Sequence, residues 1–132
     1  MTTATDHTDL ADRCLAIWNE TDEVRRRDLI ARTWTEDALY LDPSQRGEGH
    51  AGIDAMVRAV QARFPGLRFR RTGPVDGFQD RLRVAWEFGP EGGGAPVLTG
   101  LDVGILAEDG RLRAVTGFFD PAPAPAAGKA SS

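Results

Sequence analysis

The stretch Ala38-Leu39-Tyr40-Leu41-Asp42-Pro43 alternates as a strand does, with Ala38, Tyr40 and Asp42 on one face and Leu39 and Leu41 on the other. Pro43 cannot donate to a ladder, so the strand ends there and Asp42 stands at its rim. A carboxylate so placed is either a turn aspartate ahead of proline or a group used for binding or catalysis. Before this strand, Leu10, Cys14, Ile17 and Trp18 recur at helical spacing, which predicts a helix over about Asp6 to Asn19. Thr21-Asp22 is a capping pair for a second helix with Val24, Leu29 and Ile30, running to about Trp34, with Arg25-Arg26-Arg27 on its solvated side. After the strand, Ser44 to His50 reads as a polar loop. Gly52 to Phe64 carries Ile53, Met56, Val57, Val60 and Phe64 at helical spacing and is stopped by Pro65-Gly66.

Beyond Gly66 the apolar period changes from helical to two. Leu67-Phe69, Leu82-Val84-Trp86-Phe88, Val97 to Leu106 and Leu112 to Phe119 read as strands, joined at Asp76-Gly77, Gly92-Gly93-Gly94 and Asp109-Gly110. Helices followed by strands with short turns define an α+β chain, with about three N-terminal helices packed on one face of a curved antiparallel sheet. Residues 1–120 form one domain in this reading, and the Pro/Ala-rich residues 121–132 read as a disordered tail.

Composition narrows the chemistry. The 132 residues, 41% hydrophobic and 27% charged, suit one globular core, and a net charge of -4 with scattered basic residues gives no footprint for nucleic acid. No apolar run has the length of a membrane span, and the single cysteine, Cys14, cannot form an internal disulfide, so the expected compartment is the cytoplasm. The sole lysine, Lys129, lies in the tail, which argues against Schiff-base chemistry. Only His7, in an N-terminus expected to fray, and His50, in a loop, offer imidazoles, so a His-cluster metal site or a Ser-His-Asp triad has little to draw on. No metal or cofactor is expected. Carboxylates and aromatics remain.

A second carboxylate comes from the strand Val97 to Leu106, where Leu98, Gly100, Asp102, Gly104 and Leu106 share one face and Val97, Thr99, Leu101, Val103 and Ile105 the other. Either face could be the buried one by periodicity alone. The glycines flanking Asp102 favour a cavity against it, because they leave room beside the strand.

These residues resemble the nuclear transport factor 2-like superfamily, a cystatin-like cone with a curved antiparallel or mixed sheet enclosing a pocket, and within it the ketosteroid isomerases and SnoaL-like polyketide cyclases. The resemblance covers about Leu10 to Phe119. It is carried by Thr35-Glu36-Asp37-Ala38 leading into Tyr40-Leu41-Asp42-Pro43, by Gly52-Ile53, and by Thr99-Gly100-Leu101-Asp102 followed by Glu108-Asp109-Gly110-Arg111-Leu112. It implies that Asp42 is a general base and that Asp102 is a protonated donor to an enolate oxygen. Ketosteroid isomerase is a standard worked case of that logic. Trp18 falls where the isomerases keep an oxyanion-hole tyrosine, and an indole N–H lacks the acidity of a phenol. Tyr40, Met56, Trp86, Val115 and Phe119 are implied pocket lining, and Gly104, in place of an aromatic, implies a wider pocket. Asp120 is implied as a further acid or base in some cyclases, against a plainer reading as a solvated residue before Pro121.

Three readings follow: an isomerase or cyclase moving a proton next to a carbonyl, a non-catalytic pocket for a small ligand, and a dimerising module. The implied ligand is a small apolar or polycyclic carbonyl compound. The β-branched face of Val97, Thr99, Leu101, Val103 and Ile105 implies a homodimer.

Overall fold

The apolar stripe of Leu10, Cys14, Ile17 and Trp18 drives helix α1 (Ala4–Asn19) onto the sheet, and all four are buried. The computed structural model describes residues 4–120, so the expected tail lies outside the described residues. Helix α2 (Glu23–Thr33) starts where Asp22 accepts a hydrogen bond from the Arg25 N–H at 2.9 Å, as an N-cap does. Its arginine run is not wholly solvated. Arg26 is 2% exposed, and its Nε donates to Asp54 Oδ1 at 2.6 Å while another nitrogen reaches the Glu20 carbonyl at 3.1 Å. Helical spacing rotates Arg26 by about 100° from each of its neighbours, which takes it to the inner face with Ile30. Helix α3 (Gly49–Arg63) buries Ile53, Met56 and Val57, and Gly66, at φ +84°, turns the chain away from it.

Strand β1 (Trp34–Asp42) begins four residues before the quoted stretch and pairs with β2 (Gln45–Glu48), placing a short strand where a polar loop was expected. The sequence of β2, Gln-Arg-Gly-Glu, has no strand signature; it is an edge strand with exposed charges, held by the ladder of β1. The remaining strands are β3 (Leu67–Arg71), β4 (Asp76–Phe78), β5 (Arg81–Pro90), β6 (Leu98–Leu106) and β7 (Leu112–Phe119). Asp76-Gly77 is thus strand, and the turn follows it, with Gln79 at φ 48°. The sheet order is β2-β1-β7-β6-β5-β3, with β4 on the end of β5; β1 and β7 run parallel, so the sheet is mixed.

His7 is packed rather than frayed: it is 2% exposed, it lies 3.3 Å from the Gln79 carbonyl, and its ring occupies the space a side chain at Gly77 would need. The buried face of β6 is the one bearing Gly100, Asp102, Gly104 and Leu106. Its glycines do not widen a cavity. A side chain at Gly100 would collide with the Trp86 ring, and one at Gly104 would begin 2.9 Å from Leu112 Cδ2 and 3.4 Å from Leu82 Cδ1. Neighbouring strands have filled both spaces with their own side chains.

Candidate functional site

Strand order sets the site. Strand β7 runs between β1 and β6, and Gly117 is the register partner of Asp102 across one ladder. On the other ladder Leu41 pairs with Thr116, which brings Asp42 alongside Gly117. A side chain at Gly117 would begin 2.9 Å from Asp102 Oδ1, 3.0 Å from Tyr40 Oη and 3.2 Å from Asp42 Cβ. Only a residue without a Cβ lets these three groups close over the strand. Glycine in a strand interior is itself a sequence signal for such an approach, but Gly117 shares it with Gly100 and Gly104.

The two carboxyls differ in their surroundings. Asp42, half-buried at the strand end, has Oδ1 held by the Ser44 N–H at 2.8 Å, the Ser44 hydroxyl at 3.0 Å and the Gln45 N–H at 3.0 Å. Its Oδ2 accepts from the Tyr40 hydroxyl at 2.7 Å and, more distantly, from Gln45 Nε2 at 3.5 Å. A carboxylate has about four lone-pair positions, so Oδ2 keeps more spare capacity than Oδ1. Asp102 is 5% exposed and its Oδ1 accepts from Trp86 Nε1 at 3.0 Å. Burial pushes its carboxyl up to about 7; the Trp86 hydrogen bond opposes that rise and the charge of Asp42 adds to it.

Two further groups are silenced by the same environment. Burial, then the charge of Asp102 and the hydrogen bond to Asp42, push the Tyr40 hydroxyl far up, so it stays a neutral donor. Burial and the nearby Asp102 do the same to the Cys14 thiol, which is therefore unreactive.

These groups open on a cavity of about 340 Å³ whose walls are aromatic. Asp42, Asp102, Trp18, Tyr40, Trp86 and Phe119 all line it, contributed by β1, β6, α1, β5 and β7. Trp18 packs edge-on against Tyr40 and tilted against Phe69, each at 5.4 Å between ring centres. Met56 and Val115 are buried behind the wall: a side chain at Gly47 would begin 3.1 Å from Met56 Cε, and Val115 pairs with Tyr40 in the sheet. Sequence reading missed Phe69, Phe88, Leu98, Arg63 and the Ser44-Gln45 pair, all of which line the cavity. His50 lies elsewhere, in the first turn of α3, with Nε2 2.8 Å from the Trp34 carbonyl. Asp120 is exposed outside the cavity and accepts from the Thr99 hydroxyl at 3.0 Å. Among the described residues no three His, Cys, Asp or Glu side chains gather as metal ligands, and no helix is long and apolar enough to cross a membrane.

The pattern of the SnoaL-like domain matches residues 11–115, and the chain belongs to that family. A candidate isomerase of the SnoaL-like family from Agrobacterium tumefaciens is 41% identical, with 89% of this chain and 99% of that one aligned at a TM-score of 0.84. A candidate polyketide cyclase from Sinorhizobium meliloti shares the fold at 16% identity, with 87% and 98% aligned and a TM-score of 0.66. A cystatin-like protein of unknown function from Nostoc punctiforme shares it at 14% identity, with 86% and 87% aligned and a TM-score of 0.66. No curated protein sequence matches. The architecture is thus the α+β cystatin-like cone, with helices closing a curved sheet over a pocket.

Proposed function

We propose that this SnoaL-like domain is an enzyme that moves a proton next to a carbonyl in its aromatic cavity, as an isomerase or cyclase does. The observation that supports it is the convergence of Asp42, Tyr40 and the desolvated Asp102 on Gly117. Asp42 Oδ2 is the base: it holds one close donor, the Tyr40 hydroxyl, and one distant donor, Gln45 Nε2, where Oδ1 holds three close ones, so it is the oxygen better able to take the substrate proton. Protonated Asp102 donates from Oδ2 to the enolate oxygen, because its Oδ1 is occupied by the Trp86 N–H. Tyr40 holds the base in place and does not act on the oxyanion. Trp18, Trp86 and Phe119 enclose an apolar ring. A second reading, a pocket that binds without catalysis, is favoured by the three donors on Asp42 Oδ1, which are what an aspartate closing the β1–β2 turn would recruit.

The two readings separate with a substrate-independent assay. Deuterium exchange at the carbons next to the carbonyl of 2-tetralone, followed by NMR, should be accelerated by the protein and fall by a factor on the order of 10² to 10⁴ in Asp42→Asn. Binding of 2-naphthol should survive that change. Exchange no faster than in buffer, with 2-naphthol still bound, would leave the binding reading standing alone.

Assembly belongs to the same proposal. The outer face of β6 carries Leu101, Val103 and Ile105 beside Phe118 of β7, which is 54% exposed, and Leu41 of β1, which is 39% exposed. A second copy packed on this face would cover a row without charge. Light scattering at micromolar concentration should give twice the chain mass, and a monomer there would refute the dimer.

A further inference from the structure

We infer that Arg63 is a ligand-recognition residue, and that the molecule this cavity takes carries a carboxylate on its aromatic or alicyclic body. The inference rests on the reading of the cavity as a ligand site, and it goes further by fixing the ligand's charge. Of the fifteen arginines in the described residues, twelve sit in ion pairs with Asp or Glu, and Arg13 donates to Thr33 Oγ1. Arg63 and Arg113 do neither. Of these two, Arg63 lines the aromatic cavity, where it is the only cation among the lining residues.

The side chain is exposed, and the one contact that orients it consumes none of its donors. Arg63 closes the last turn of α3, and its guanidinium lies over the Phe64 ring at 5.4 Å from the centroid, while Phe64 packs edge-on against Phe88 at 5.7 Å. A cation in the last turn offsets the helix dipole wherever it points, so that role does not require it to line a cavity. The stack leaves the N–H fork free for a planar, bidentate anion.

Charge decides the rest. The carboxyls lining the cavity are those of Asp42 and Asp102. Asp42, ionised as the base, would repel an anionic ligand if nothing opposed it, and the free fork of Arg63 supplies the opposition. A neutral ligand needs no such group. The bound molecule would therefore lie with its carbonyl toward Asp42 and Asp102, its ring against Trp86 and Phe119, and its carboxylate at Arg63.

The test is fluorescence titration with 6-hydroxy-2-naphthoate and its methyl ester, at about 0.05 and about 0.5 M salt, where screening lengths differ several-fold. In the unaltered protein the acid should bind about tenfold more tightly than the ester at low salt, and the gap should shrink at high salt. Arg63→Gln should abolish the gap by weakening the acid alone, and Arg63→Lys should restore only part of it. Equal affinity of acid and ester in the unaltered protein, or no effect of Arg63→Gln on the acid, would overturn the inference while the cavity still binds the ester. Failure of both compounds to bind would overturn the ligand-site reading beneath it.

Discussion

Asp54 and Asp102 are the same residue at nearly the same depth, 3% and 5% exposed, and they sit in opposite electrostatic settings. Asp54, on α3, lies 2.6 Å from Arg26, 3.5 Å from Arg27 and 3.3 Å from Arg58. Burial pushes its carboxyl up, but the Arg26 hydrogen bond and the charges of Arg26 and Arg27 outweigh that, and it stays below the ordinary carboxylate range. Asp102 has an indole N–H and aromatic walls instead, and burial wins. Depth alone therefore does not decide whether a carboxyl keeps its proton; what matters is whether burial comes with a cation. Asp54 holds helices α2 and α3 together, whereas Asp102 contributes nothing comparable to packing and faces a cavity.

The largest expected effect tests the structural side of that contrast. Asp54→Ala leaves Arg26 buried without its partner, which typically costs about 3 to 5 kcal/mol. Urea unfolding should show this loss, and replacing Arg26 and Asp54 together with apolar residues of similar volume should recover most of it. A loss well under about 1 kcal/mol would mean the pair does not hold α2 to α3.

Asp102 should behave in the opposite sense, and its signature is pH. Its carboxyl rises from 3.8 to about 7 on folding, so across that window the native state holds a proton the unfolded chain has released. Stability from this group is thus greatest below about pH 4 and declines until about pH 7, by up to about 4 kcal/mol at 1.36 kcal/mol per pH unit. Asp102→Asn should remove that slope and leave the variant more stable than the parent at pH 8. Taking the difference between the two proteins cancels the groups with lowered values, Asp54, Glu36 and Asp109, whose contributions run the other way. Parallel stability curves from pH 4 to 8 would show that Asp102 is ionised throughout.

The contrast also marks what could be read from the chain. Helices α1 and α3 and the longer strands were legible because their apolar residues recur at one period on one face. Strand β2 was not, because its pairing comes from β1 and not from Gln45 to Glu48 themselves. Arg26 and His7 look like solvated residues by type; only tertiary partners, Asp54 and the gap over Gly77, take them inside. The site was half legible. Spacing placed Asp42 and Asp102 on strand faces, but the space left by Gly100 and Gly104 is filled by Trp86, Leu82 and Leu112, and the glycine that matters is Gly117. Which glycine serves a cavity depends on what lies across the sheet, and that is not local information.

That distinction predicts two unlike glycine variants. Gly117→Ala puts a methyl 2.9 Å from Asp102 Oδ1 and 3.0 Å from Tyr40 Oη, so it should cost about 1 to 3 kcal/mol and also displace the Asp102 carboxyl and the Tyr40 hydroxyl that binds Asp42. Gly104→Ala presses on Leu112 Cδ2, the end of a core side chain away from the cavity. It should lower stability by less and leave 2-naphthol binding within about twofold, a difference of roughly 0.4 kcal/mol. Equal loss of 2-naphthol affinity in both variants would remove Gly117 from its special place.

The smallest effect concerns the hydroxyl that ties Tyr40 to Asp42. Tyr40→Phe removes one donor from Asp42 Oδ2 and keeps the ring that packs on Trp18. Asp42 is half-buried, so water can replace the lost donor, and the stability cost should be about 1 kcal/mol or less. Turnover reads differently if Asp42 is the base. Losing the tyrosine lets the carboxylate rotate about its three remaining close donors on Oδ1, and exchange of 2-tetralone should fall by about tenfold through poorer orientation. The fall should appear in the maximal rate and not in the affinity for 2-naphthol, since Tyr40 holds the base and touches the reaction only through it. Unchanged exchange in Tyr40→Phe, with Asp42→Asn still inactive, would show that the Ser44 and Gln45 donors orient the base unaided.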